Sequence, residues 1–135
     1  MNKILTGLLG AGILAAGLAP AASAVGLVEP TLDAHLLLTA TRMQGETEVI
    51  GFVRLDCPGS EGHDHPLTRE ACRDLRTADG DLDRLPGQST AVCSNDSTAV
   101  TVTAHGTFRG REIRWERTYE DDCALMLATG PVFDF

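Results

Sequence analysis

The sequence predicts an α+β fold in which one main helix packs on an antiparallel sheet. Three observations support this prediction: apolar and polar residues alternate in four segments, short glycine-containing turns join those segments in pairs, and one segment has apolar residues at helical spacing. Such short connections can join only antiparallel neighbours, so each pair is expected to form a hairpin.

The first hairpin is predicted from residues 34–43 (AHLLLTATRM) and 48–57 (EVIGFVRLDC). Threonines alternate with apolar residues in the first segment, and in the second Val49, Gly51, Val53 and Leu55 share one face with Cys57. The segments are joined by Gln44, Gly45 and Glu46, which suits a tight turn.

The helix is predicted between Thr68 and Gly80. It follows a loop rich in glycine and proline, and Thr68 is the expected amino-terminal cap. Ala71, Leu75 and Ala78 recur at helical spacing, and Gly80 is a suitable stop. Residues 81–92 (DLDRLPGQSTAV) are predicted to be irregular.

The second hairpin is predicted around the turn Arg109-Gly110. Apolar residues alternate with threonine and histidine before the turn, and Ile113, Trp115 and Tyr119 alternate with polar residues after it. We expect Trp115 and Tyr119 to pack on the sheet. The last residues, ALMLATGPVFDF, are predicted to hold one helical turn and an apolar tail.

The amino terminus resembles a secretory signal peptide. Lys3 precedes an apolar run, which is followed by Ala22-Ser23-Ala24, small residues of the kind that a signal peptidase accepts. The run is short for a membrane span. We therefore predict a signal peptide at 1–24, a flexible arm at 25–33, one domain at 34–135, and secretion.

Four cysteines follow the predicted signal peptide: Cys57, Cys72, Cys93 and Cys123. An even number in an exported chain indicates two disulfides, for which the sequence alone allows three pairings. No C-x-x-C pair is present, which disfavours zinc. His63-Asp64-His65 lies in a glycine-rich loop and could bind a divalent ion weakly, although a structural loop is the favoured interpretation.

Charge and motifs restrict the function. The formal net charge is −8 at pH 7, which disfavours nucleic acid and anionic membranes as partners. No recognisable motif places a nucleophile beside a base, so we expect no enzyme activity and no cofactor.

Four separated motifs resemble those of the Streptomyces subtilisin inhibitor-like family. They are the cysteine spacings, HPLTREACRDL with GDLDRL, the segment VTVTAHGTFRGREIRWERTYEDDC, and the end VFDF. The resemblance covers about residues 32–135. It implies disulfides Cys57–Cys72 and Cys93–Cys123, a five-stranded sheet with two helices, a homodimer, and secreted inhibition of subtilisin-type serine proteases.

The resemblance also implies a reactive loop that enters the protease cleft as a substrate does. Its scissile bond would join Asn95 to Asp96, and the protease-contact residues would be Val92, Cys93, Ser94, Ser97 and Thr98. Such a loop inhibits when it is already in the bound conformation and stays in place after cleavage. A disulfide at Cys93 would provide that restraint.

The loop sequence departs from the family pattern. It has neither of the usual prolines, so part of the expected rigidity is lost. Asn95 suits an apolar specificity pocket poorly, because burial of an unpaired amide costs about 1–3 kcal/mol. Two hypotheses follow: an inhibitor of altered specificity, or a secreted binding or structural module with this fold that has lost inhibition.

Overall fold

The computed structural model describes residues 32–59, 64–90, 93 and 97–135. Its strands are β1 (Ala34–Gln44), β2 (Thr47–Cys57), β3 (Val100–Phe108) and β4 (Arg111–Tyr119), and its helices are α1 (Thr68–Thr77) and α2 (Asp122–Thr129). Two 3₁₀ turns lie at Leu82–Arg84 and Gly130–Phe133. The α+β class is confirmed, but the described residues form four strands, and the expected fifth is not among them.

The four strands form one antiparallel sheet in the order β2-β1-β3-β4. Both predicted hairpins are present. In the β3–β4 turn, Arg109 and Gly110 have φ of 47° and 79°, the positive values that match the twist of the flanking strands. In the β1–β2 turn, Gly45 has φ of 64°.

One face of the sheet is covered by the helices and the carboxyl-terminal segment. Its buried side chains come from alternate strand positions, as the sequence predicted, and they include Leu36, Leu38, Ala40, Leu55, Val100, Val102, Ala104 and Phe108. Leu75 of α1 and Phe133 complete the same core. Trp115 and Tyr119 are partly buried against it, which confirms their role in sheet packing.

The opposite face of the sheet is open in the described part of the chain. It carries threonines from several strands together with exposed apolar side chains, including Leu37 and Phe52. Phe52 is 70% exposed. The sheet therefore has one buried and one solvent-facing side, as antiparallel sheets commonly do.

The start of α1 differs from the prediction. Thr68 is the first residue of the helix and not its cap, and Leu67 precedes it without a side-chain capping bond. The Thr68 hydroxyl donates instead to the His65 carbonyl oxygen at 2.8 Å, and the Leu67 amide donates to His65 Nδ1 at 3.0 Å. The imidazole thus supplies the acceptor that a capping side chain would otherwise offer.

Helix α2 spans eight residues, so the expected short second helix is present and is longer than the one helical turn predicted from the last residues. The Asp121 carboxylate accepts from the Ala124 amide at 2.7 Å and caps its start. The segment predicted to be irregular contains the 3₁₀ turn at Leu82–Arg84, which the Asp81 side chain caps. Sequence periodicity could not detect a turn this short.

The amino-terminal boundary of the described chain is fixed to the sheet at Asp33. Its amide donates to the Cys57 carbonyl, its carbonyl accepts from the Arg109 amide, and its carboxylate pairs with Arg76. The predicted signal peptide and most of the predicted arm lie outside the described residues. Within the described ranges, no helix has the length and apolar character needed to cross a bilayer.

Candidate functional site

The candidate site is the loop that joins the 3₁₀ turn at Leu82–Arg84 to β3. Of its predicted contact residues, Cys93 and Ser97 are exposed and Thr98 is partly buried. Val92, Ser94, Asn95 and Asp96 lie outside the described residues. The described flanks of the predicted scissile bond therefore lie at the protein surface.

Two disulfides have the pairing that the resemblance implied. Cys57 at the end of β2 is bonded to Cys72 of α1, and their Cα atoms are 5.6 Å apart. Cys93 is bonded to Cys123 of α2 with a Cα–Cα distance of 5.2 Å. The second bond fixes the loop to α2 two residues before Asn95.

The chain is also held to α2 before it reaches Cys93. The Gln88 amide donates to the Leu127 carbonyl oxygen at 3.3 Å. Gly87 has φ of 67°, and a Cβ atom there would lie only 1.9 Å from the same oxygen. The carboxyl end of α2 thus supports the chain at Gly87 and Gln88, and the amino end of α2 holds Cys93.

After the loop, the chain enters the sheet at Val100. This residue is fully buried and pairs in register with Arg42 on one side and Tyr119 on the other. Arg42 in turn donates from Nε to Oδ1 of Asp122, the first residue of α2, at 2.8 Å. The outgoing chain is therefore fixed by the sheet, and the sheet is joined to α2.

A polar cluster fixes the 3₁₀ turn that precedes the loop. The Trp115 indole donates to Asp83 Oδ1 at 2.9 Å, and the Arg117 guanidinium donates to the same carboxylate. The bond from Trp115, with that from Arg117, holds the pKa of Asp83 below its ordinary value. The ionised carboxylate thus attaches the turn to β4.

The described residues give no support to a weak metal site at His63-Asp64-His65, the interpretation that the sequence disfavoured. His65 is buried, its Nδ1 accepts from the Leu67 amide, and its Nε2 lies 3.0 Å from the Val132 carbonyl oxygen. Both ring nitrogens are therefore engaged, and neither is available as a ligand. His63 lies outside the described residues, and the described ranges contain no group of three or more His, Cys, Asp or Glu side chains suited to a metal.

Sequence reasoning missed three supports of the loop: Gly87, the Arg42–Asp122 pair and Asp83. The glycine in Leu85-Pro86-Gly87 is a recognisable turn signal, but its contact partner is 40 residues away. The two charged contacts join elements far apart in the chain, so no local periodicity reveals them.

This geometry defines a class of protein: a small domain with two disulfides, one of which anchors the segment before β3 to α2, and with one face of its antiparallel sheet covered. Comparison with known proteins specifies the class. Residues 32–121 match the sequence model described as "Subtilisin inhibitor-like". The chain belongs to the subtilisin inhibitor-like family.

Individual relatives agree with this assignment. The chain is 35% identical over 102 residues to subtilisin inhibitor-like protein 5 of Streptomyces fradiae. The aligned region covers 73% of this chain and 95% of that protein. It is 34% identical over 118 residues to a probable subtilase-type protease inhibitor of Streptomyces avermitilis, covering 86% of this chain and 80% of that protein.

A solved structure matches as well. Sermetstatin of Streptomyces caespitosus, crystallised in complex with Bacillus licheniformis subtilisin, aligns with a TM-score of 0.54 and 30% identity. The match covers 75% of this chain and 97% of sermetstatin. The comparisons confirm the predicted family, whose members are protease inhibitors and not enzymes.

Proposed function

We propose that this protein inhibits subtilisin-type serine proteases by presenting the bond between Asn95 and Asp96 as a substrate that is turned over very slowly. One observation carries the proposal: Cys93, two residues before Asn95, is bonded to Cys123 of α2, and both Cys93 and Ser97 are exposed. Val92, Cys93, Ser94, Ser97 and Thr98 are the proposed contact residues.

The supports on both sides of the loop explain how a substrate can act as an inhibitor. A flexible peptide loses conformational freedom when it enters a protease cleft, whereas a loop fixed in advance loses little. The disulfide holds the acyl side after cleavage, and the buried Val100 holds the amine side. The new amine then remains near the acyl-enzyme and competes with water.

The residues at the reactive bond set the specificity of the proposed inhibitor. Asn95 would occupy the main specificity pocket of the protease, where an apolar pocket leaves its amide unpaired. The loop also lacks the proline residues typical of the family. We therefore infer a narrower target range, and a preference for a protease whose pocket offers hydrogen bonds to an amide.

These same features favour a second candidate function, a binding or structural module that no longer inhibits. Titration of active subtilisin with the mature protein distinguishes the two. An inhibitor abolishes activity at a fixed stoichiometry and forms a complex that is stable to gel filtration. A module leaves the activity unchanged, or is digested at several bonds without forming a complex.

Secretion is part of the proposal. The target proteases act outside the cell, and the sequence has the features of a signal peptide at 1–24 ahead of an arm at 25–33 and a domain at 34–135. Two disulfides are consistent with an oxidising compartment. Amino-terminal sequencing of the exported protein should begin at Val25.

We further propose that the protein is a homodimer and that the open face of the sheet forms the interface. Leu37, Ile50 and Phe52 are exposed on that face, where a second copy would remove them from water. Phe52→Glu should shift sedimentation to the monomer. Leu32→Glu, at an exposed apolar position before β1, should leave the dimer intact.

A further inference from the structure

An ion pair connects the two structural elements that hold the ends of the loop. Arg42 lies at the end of β1, with its side chain on the covered face of the sheet. Its Nε donates to Asp122 Oδ1 at 2.8 Å, and its Nη2 lies 2.7 Å from the same oxygen. The Arg42 side chain is 27% exposed and that of Asp122 is 54% exposed.

Each partner of the pair is next to one end of the loop. Asp122 directly precedes Cys123, whose disulfide holds Cys93 on the acyl side of the proposed reactive bond. Arg42 pairs in register with Val100, the first residue of β3, on the amine side. The ion pair therefore links α2, which holds the acyl side of the loop through the disulfide, to the β1–β3 pairing, which holds the amine side.

We propose that Arg42 and Asp122 are positioning residues for the reactive loop, and that their ion pair keeps both ends of a cleaved Asn95–Asp96 bond in register for resynthesis. The inference rests on the proposed function, because it assumes that this bond enters a serine protease. It adds a requirement that the disulfide alone does not meet, since a disulfide restrains only the acyl side.

The chemistry shows why register matters. In acylation, the protease serine oxygen bonds to the carbonyl carbon of Asn95, and the nitrogen of Asp96 leaves as an amine after receiving a proton from the catalytic histidine. Resynthesis reverses this: the amine attacks the acyl carbon, the serine oxygen leaves, and the histidine removes a proton from the nitrogen. Water competes at the same carbon, so displacement of the amine favours hydrolysis.

A purely structural role of the ion pair would affect the stability of the fold and not the rate at which the bound loop is hydrolysed. Half-exposed ion pairs contribute little to global stability, so loss of this pair should scarcely change the denaturation midpoint. A positioning role instead changes how the bound loop divides between resynthesis and hydrolysis. The decisive readout is therefore the rate at which the bond is hydrolysed inside the protease complex.

The test uses the mature protein with subtilisin and three variants. Asp122→Asn removes the charge and keeps the side-chain shape, Arg42→Gln removes the cation, and a double variant combines Arg42→Asp with Asp122→Arg. We expect each single variant to be hydrolysed at Asn95–Asp96 about fivefold faster, a change equivalent to about 1 kcal/mol. The double variant, which restores the ion pair with the charges exchanged, should be hydrolysed at nearly the original rate.

A matched control is Arg114→Gln, which removes another exposed ion pair, with Glu112, on β4. Its hydrolysis rate should equal that of the unmodified protein. Equal rates for Asp122→Asn and the unmodified protein, while the latter is a slow substrate cut at one bond, would overturn this inference alone. Rapid digestion of the unmodified protein at several bonds would overturn both the inference and the proposed function.

Discussion

Gly87 packs directly against the carbonyl group of Leu127, so the chain leading into the loop touches the backbone of α2. A Cβ atom on Gly87 would lie 1.9 Å from the Leu127 oxygen, and a Cβ atom on Gly130 would lie 3.2 Å from the Gly87 carbonyl oxygen. Only a residue without a side chain allows this approach. The contact makes α2 a support for the described chain that leads into the loop.

We therefore expect Gly87→Ala to destabilise the protein and weaken inhibition. Its φ of 67° costs an alanine about 1–2 kcal/mol, and displacement of the chain from Leu127 adds to that cost. Gly45→Ala is the matched control, because Gly45 has a similar φ of 64° and open space around it. Urea denaturation should give a clearly larger loss for Gly87→Ala; equal losses would contradict the contact.

The two disulfides should differ in their effect on inhibition. They close loops with sequence separations of 15 and 30, so loss of either should cost about 3–4 kcal/mol of stability. Replacing Cys93 and Cys123 by alanine should also turn the protein into a rapidly hydrolysed substrate. Replacing Cys57 and Cys72, measured at a temperature where the variant is folded, should leave cleavage slow; rapid cleavage of both variants would contradict the assigned role.

His65 should make stability depend on pH. Burial is the main cause that lowers its pKa, against the opposing effects of the Val132 carbonyl and of Asp134. The unfolded chain therefore takes up the proton more readily than the folded protein. The contribution of His65 is complete above about pH 6.5, the ordinary histidine value, and is lost as the pH falls towards the lowered folded value.

Denaturation midpoints measured from pH 8 to pH 5 test this dependence. The unmodified protein should lose stability below pH 6.5, because a proton on Nδ1 would face the Leu67 amide that now donates to it. His65→Gln should be less stable at pH 8 and should lack most of this slope. The control, His105→Gln on the open face, should keep the slope; a flat profile for the unmodified protein would exclude the explanation.

Asn95→Met should strengthen inhibition of subtilisin. Replacing a poorly paired amide by an apolar side chain removes a burial cost of about 1–3 kcal/mol, which corresponds to roughly 5- to 150-fold tighter binding. Inhibition constants measured with the two proteins check this. Ser97→Met, beyond the proposed bond, is the control. An equal gain in affinity from that substitution would show that Asn95 is wrongly assigned as the specificity residue.

The sequence predicted the strands, both hairpins and the main helix because each depends on local periodicity and turn chemistry. Alternation placed Val53 and Leu55 on one face of β2 with Cys57 without tertiary information. The resemblance, rather than spacing, indicated the pairing of Cys93 with Cys123. Periodicity did not predict the cap of α1 at His65, since that bond depends on burial of an imidazole against Val132.

The supports of the loop were equally inaccessible to local reasoning. Arg42 and Asp122 are 80 residues apart, and each alone resembles an ordinary surface charge. Asp83 and Trp115 are also distant in sequence, although both belong to motifs that the resemblance identified. Long-range contacts of single polar side chains need coordinates, whereas apolar faces repeat often enough to be predicted.

Reversible cleavage is the most direct test of a loop held in place on both sides. The protein cut at Asn95–Asp96 is purified and incubated with a catalytic amount of subtilisin. Part of it should be converted to the intact chain. Its mass should fall by about 18 Da, because formation of the peptide bond releases one water. Further degradation with no intact chain formed would contradict the account.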